Sequence, residues 1–327
     1  MLYPLKFQPI FKHRIWGGNR LLKYKSIDEK SVKNVQFPIG ESWDLSVVEG
    51  NESEVRNGDF TGDTLVDLME SFCEELVGES VFSKYGLNFP LLFKFIDAAE
   101  NLSIQVHPND DIAGEKHDSF GKTEMWYVID AEPDSVIYAG LKEGVSIADC
   151  KYLAENGGLE NYLNAYPVQR GDAILIPAGM VHALGKGIFV AEVQQSSDVT
   201  YRLYDYNRTD KEGNKRELHL YDALEVVDLE ASPELIRVQT KENDRVPVVA
   251  CDKFEVNLMS LTKPMKAEFP NNDTFTVYMC VKGSAIIVYN GGLVDLKKGE
   301  IILIPAVIES VILEPQGECE LLEIVPR

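Results

Sequence analysis

The sequence predicts a mainly β protein built as two related barrels in tandem, with helical insertions in its N-terminal half. The first observation is a series of short runs rich in Val, Ile, Phe and Tyr. "NFPLLFKFIDA", "MWYVIDA", "SVIYAGL", "DAILIPA" and "IFVAEVQQ" are followed after residue 250 by "KFEVNLMSL", "FTVYMCVKGSAIIVY" and "GEIILIPAVIESVIL". Gly, Pro and Asp turns separate them, a pattern of sandwiches and barrels rather than of a doubly wound sheet. The second is an internal repeat: "GDAILIPAGMVHAL" from Gly171 matches "GEIILIPAVIESVIL" from Gly299, and "EMWYVIDAEPDSVIYAG" resembles "FTVYMCVKGSAIIVYNG". The third is that two stretches have helical spacing, "DTLVDLMESFCEELVG" and "SIADCKYLAENGGLENYLNA".

The repeat places a boundary near residue 237, giving units 1–237 and 238–327, with the polar stretch "VQTKENDRV" (238–246) at the join. The two copies differ where chemistry would sit. Glu124 opens the upstream strand of the first copy against Phe275 in the second, and His182 stands against Ser310. The first unit is therefore expected to be the active one and the second a degenerate copy.

Composition narrows the function. The 327 residues carry a net charge of −21 with a pI near 4.7. Such a surface repels nucleic acid and anionic membranes, which excludes both as partners. The chain lacks an 18-residue apolar run and an apolar leader near its start, and its five cysteines have no paired spacing. A cytoplasmic protein with reduced thiols is expected. In so acidic a protein, lysines and arginines beside polar motifs carry more information than usual.

The polar motif is "LSIQVHPND" (102–110), where Ser103, Gln105 and His107 alternate with Leu102, Ile104 and Val106. Polar groups on one buried face need partners. Glu124 begins "EMWYVID" and His182 follows "PAG", and imidazole nitrogens with a carboxylate oxygen suit a divalent ion such as zinc. Gln105 would add a weaker amide oxygen. Lys94 lies inside the otherwise apolar "LLFKFIDA", Lys122 two residues before Glu124, and Arg202 after "QQSSDVTY". A lysine inside an apolar strand must be paired or face a wet cavity.

The spacing of Gly171, Pro177, Gly179 and His182 is similar to the second motif of cupin barrels. The ordered set "RIWGG", "GESWDLS", "FKFIDA", "LSIQVHP", "GKTEMWYV", "PAGMVHAL" and "YRLYDYNR" resembles type I mannose-6-phosphate isomerases, most closely the short bacterial form. The resemblance implies tandem cupin barrels and one zinc per chain, bound by Gln105, His107, Glu124 and His182. It implies a phosphorylated hexose as substrate, interconverted between D-mannose 6-phosphate and D-fructose 6-phosphate through a cis-enediol. It places Arg202 at the active site, Lys94 and Lys122 as pocket lysines and Glu192 as an acidic lining residue; Arg202, Lys122 and Glu192 are taken as the catalytic set, and Lys94 and Ser103, which shares the face of Gln105 and His107, as substrate contacts. The long helical insertion of larger family members is missing from the sequence.

Isomerisation needs an electrophile at two oxygens and a base near two carbons. Arginine is a poor base, so Arg202 is read as a fixed donor. Glu192, Lys122 and a metal-bound water remain alternatives for the proton carrier, and a lysine beside zinc and a second lysine is expected to have a depressed pKa. Two other readings are another cupin-type metal-dependent isomerase or oxygenase and a non-catalytic sugar-binding cupin. A monomer or weak homodimer is expected.

Overall fold

The computed structural model describes residues 1–33, 35–269 and 273–327. It is mainly β. A seven-stranded antiparallel sheet runs in the order Ile10–Gly18, Ile39–Leu45, Leu91–Asp97, Ile188–Gln195, Glu124–Ala131, Asp172–Ile176, Leu235–Arg237. A five-stranded sheet packs over it in the order Tyr201–Tyr204, Ile104–Val106, His182–Leu184, Val136–Leu141, Leu163–Pro167.

Strand alternation explains how the large sheet serves two purposes. Phe93, Phe95, Met125, Tyr127, Phe189 and Val193 point outward, into a core shared with helix Leu65–Val77 and with Phe254, Val256, Phe275, Val277 and Leu303 of the C-terminal sheet. Ile96, Trp126, Val128, Ile174 and Val190 point inward, toward Ile137, Ala139 and Leu184 of the second sheet. With both faces covered, these strands read as continuous apolar runs, and every residue of Leu91–Asp97 is buried, Lys94 included.

Both helical stretches form. Thr64 and Asp67 make a capping box for the first, which kinks at Cys73 before helix Glu79–Tyr85 follows. Ser146 and Asp149 cap the second, Ile147–Asn156. Three further helices, Arg20–Tyr24, Asp110–His117 and Leu220–Val226, lacked a readable apolar stripe. Asp110–His117 is amphipathic in neither direction and is set by its Asn109 cap, which accepts from Ile112 N at 3.1 Å.

Residues 245–326 form a five-stranded and a four-stranded antiparallel sheet, with Leu261, Tyr278, Ile302, Ile287 and Leu313 among the side chains between them. Strand register corrects one sequence alignment. Glu124 pairs with Ile176, and Thr276 pairs with Ile304, the matching isoleucine of the repeat. Thr276, not Phe275, therefore occupies the place of Glu124, and Phe275 lies in the outer core. By the same register Tyr278 replaces Trp126, Glu323 replaces Glu192, and Asn257 replaces Lys94. The second copy has kept a polar cluster there. Tyr278 Oη donates to Glu323 at 2.9 Å, and Arg245 Nη2 donates to it at 2.7 Å.

The turn Lys298–Glu300 docks onto the N-terminal residues. Glu300 pairs with Lys6 at 2.8 Å and with Arg56 at 2.5 Å. Lys25, buried over the Phe95 ring at 4.4 Å, pairs with Asp44 at 2.5 Å and donates to Gly299 O. Gly299 adopts φ +81°, and a Cβ there would lie 2.9 Å from Lys25 Cγ, so the contact needs glycine. Lys25→Met strands the Asp44 carboxylate and is expected to cost about 3–5 kcal/mol. Lys25→Met with Asp44→Leu should recover most of that loss. Urea unfolding midpoints of the two variants measure both effects.

Candidate active site

Three strands deliver side chains to one point between the two sheets. Glu124 begins a central strand of the large sheet and is fully buried. His107 follows Ile104–Val106, and His182 starts the strand paired to it, with Gln105 opposite His182. Ligand atoms of His107, Glu124 and His182 lie within 4.8 Å of one another. Glu124 Oε2 is 3.5 Å from His107 Nε2, and Oε1 is 3.3 Å from His182 Nε2.

The tautomers are set by backbone carbonyls. His107 Nδ1 faces Val199 O at 3.1 Å, and His182 Nδ1 faces Met180 O at 2.9 Å. Each Nδ1 donates, which leaves each Nε2 with a lone pair aimed at Glu124. Burial, then the Lys122 charge, holds the His107 pKa well below 6.5, in the neutral form. Neither Glu124 oxygen nor His107 Nε2 completes a hydrogen bond, although all three are buried. Two imidazole lone pairs and a carboxylate with that much unused capacity fit a divalent borderline ion. The Gln105 carboxamide stands on the open side, with its nitrogen 3.2 Å from His182 Nε2. A half-turn of the amide presents its oxygen instead.

A cleft of about 540 Å³ opens beside this cluster, lined among others by Lys94, Ser103, Gln105, Lys122, Glu192 and Arg202. All nine residues singled out from the sequence thus meet in one place. Lys94 does not reach the surface. It pairs with Glu192 at 2.9 Å, donates to Gln194 Oε1, and lies over the Trp43 ring at 5.0 Å. Glu192 accepts from Trp126 Nε1 at 2.8 Å. Lys122 is 3.2 Å from Glu124. In the metal-free site its pKa is raised: burial opposes the charge, but the carboxylates of Glu124 and Glu192 outweigh it. Burial would likewise raise the Glu124 pKa, yet the Lys122 charge drives it well down.

Arg202 donates through Nε to Ser103 Oγ at 3.3 Å and through Nη1 to Glu217 O at 2.6 Å. Among the described residues it has no carboxylate partner, whereas Arg14, Lys94, Lys122 and Arg216 each have one. It is the cleft cation whose charge is left for a ligand.

Arg14, Glu41 and Trp43 were not read as site residues, although two of the quoted motifs contain them. Arg14 grips Glu41 through two bonds of 2.9 Å, and Trp43 Nε1 donates to the same carboxylate at 2.7 Å. No sequence spacing signals this, because the strand pairing Ile10–Gly18 with Ile39–Leu45 creates it.

The chain matches family models at both ends. Residues 4–136 match the catalytic domain of phosphomannose isomerase type I, and residues 245–326 match the cupin domain of mannose-6-phosphate isomerase. It is 35% identical to the mannose-6-phosphate isomerase ManA of Bacillus subtilis, covering 97% of each chain. It is 34% identical to the mannose-6-phosphate isomerase of Streptococcus mutans, covering 95% of each. The crystal structure of the Bacillus subtilis mannose 6-phosphate isomerase superposes with a TM-score of 0.81 at 30% identity, covering 98% of this chain and 99% of that one.

The Glu41 pKa falls from 4.5 to about 2: burial raises it, but Arg14 and Lys94 prevail. A carboxyl with a depressed folded pKa contributes stability that is complete above 4.5 and fades as pH falls toward 2. Glu41→Gln should therefore flatten the stability–pH curve between those values and lower stability at pH 7. Denaturant unfolding at a series of pH values checks this.

Proposed function

The chain belongs to the type I phosphomannose isomerase family, and from that premise we propose that it interconverts D-mannose 6-phosphate and D-fructose 6-phosphate with one zinc ion per chain. One observation carries the reading: two histidines locked by backbone carbonyls with their Nε2 lone pairs turned onto a buried carboxylate, at the side of a cleft that holds an uncommitted arginine. His107, Glu124 and His182 hold the ion, with the Gln105 amide oxygen as fourth ligand. When bound, zinc supplies Lewis-acid stabilisation of negative charge on the two substrate oxygens.

The residues of the chain do the rest. Arg202 offers a planar fork to an anionic group, the phosphate or the enediolate edge, and Ser103 fixes its angle. Lys94, tied to Glu192 and Gln194, adds a fixed positive charge to the same wall. Lys122, kept protonated by Glu124 and Glu192, gives and retakes a proton at the sugar oxygens. Glu192 is buried, with Oε1 accepting from Trp126 and Oε2 paired with Lys94, and we assign it as the base at carbon in a cis-enediol path. Residues 1–237 form the catalytic unit and 238–327 a degenerate cupin, because Thr276 and Ser310 stand where a second metal set would need Glu and His.

His182→Ala should leave the purified protein without zinc and without isomerase activity, while its circular dichroism spectrum stays that of the parent. Elemental analysis and a coupled assay with mannose 6-phosphate read the two losses; retained activity after chelation would exclude the metal reading. Glu192→Gln should keep equimolar zinc but lower kcat by about 10²–10⁴-fold. It should also lose exchange of the C2 hydrogen with deuterated solvent, measured by proton NMR.

A further inference from the structure

A second cleft, of about 690 Å³, lies on the other side of the turn 196–199 from the candidate active site. Asp198 borders both clefts, so this turn is their common wall. One side of the wall holds the active centre in place: Val199 O fixes the His107 tautomer. Ser197 O accepts from Gln194 Nε2 at 2.5 Å, and Gln194 in turn accepts from Lys94. The other side of the wall faces the second cleft, where Ser119 Oγ meets Ser197 Oγ at 3.2 Å.

The lining specifies a ligand class. Among the described residues it contains neither lysine nor arginine, and its carboxylates are Glu49, Asp118 and Asp198. A sugar phosphate is repelled there, in contrast to the cationic first cleft. The three carboxylates do not converge: among the described residues, only His107, Glu124 and His182 come close enough to share a metal. Beside these spaced acceptors stand His117, the Asn88 amide, the Ser119, Ser196 and Ser197 hydroxyls and the Phe120 ring. That set suits vicinal hydroxyls, which donate to carboxylates, and a carbon skeleton laid against an aromatic ring.

We propose that this cleft binds a neutral polyhydroxyl compound, an unphosphorylated hexose or hexitol, and that its occupancy alters turnover through the turn 196–199. The effect on turnover rests on the isomerase reading; binding does not.

D-Mannitol is a suitable probe, since it has no carbonyl to isomerise and no phosphate. Calorimetry on the zinc-loaded, full-length protein should show saturable binding that persists at saturating mannose 6-phosphate. Asp118→Asn, which tolerates the left-handed backbone at φ +49°, combined with Asn88→Ala should weaken binding by about tenfold or more. The same variant should leave KM and kcat unchanged without mannitol. Initial rates of the parent protein should show mixed inhibition by mannitol. The proposal is overturned if no saturable heat appears, if mannose 6-phosphate displaces mannitol, or if the double variant binds it as tightly as the parent. Binding of glucosamine but not of mannitol would also overturn it, in favour of an ammonium site. Purely competitive kinetics would overturn the coupling, while loss of isomerase activity alone would leave the calorimetric result standing.

Discussion

Glu124 is a carboxylate with no solvent exposure, and the structure around it is organised to keep it ionised. An isolated buried charge is costly, so cations and lone-pair donors that can recruit a cation must surround it. Lys122 provides the first at 3.2 Å, and His107 and His182 provide the second. As metal ligands the histidines must turn an unprotonated Nε2 toward Glu124, and Val199 O and Met180 O select the Nδ1–H tautomer that allows it. The surrounding β structure therefore fixes the protonation pattern of the centre as well as its position.

The seven-stranded sheet makes this arrangement affordable in conformational terms. Its outward face is embedded in a continuous core shared with helix Leu65–Val77 and the C-terminal sheet. A strand anchored so firmly on one face can carry Lys94, Glu124, Trp126, Glu192 and Gln194 on the other without loosening. Several polar groups of this face are answered across strands: Lys94 by Glu192, Glu192 by Trp126, and Glu41 by Arg14. In a buried site of this kind, satisfied polar networks determine geometry more sharply than apolar packing does.

The register-matched positions of the C-terminal sheets carry a polar network without the His–Glu–His set. Glu323 occupies the place of Glu192, and Tyr278 donates to it as Trp126 does to Glu192. Arg245 supplies the positive charge that Lys94 gives in the first copy. With Thr276 at the register position of Glu124, no candidate metal cluster forms there among the described residues, and the network is an ion pair. A buried glutamate cannot be left alone, so the partner persisted in kind even as its identity changed.

The sequence by itself determined the class and most of the candidate site. Short runs rich in Val, Ile, Phe and Tyr marked the strands, helical spacing marked the two main helices, and the motifs from "FKFIDA" to "YRLYDYNR", together with "IFVAEVQQ", named nine residues that gather around one cleft. It did so because those signals are local: each is written within about ten residues of chain. What needed tertiary structure was every relation across strands. Register moved the counterpart of Glu124 from Phe275 to Thr276, a one-residue slip that changes which face a side chain occupies. The chain-distant pairs Arg14–Glu41 and Lys94–Glu192 set the charges of the cleft. The metal-free Lys122 pKa is raised first by Glu124, two residues along the chain, and then by Glu192, which only the fold brings beside it.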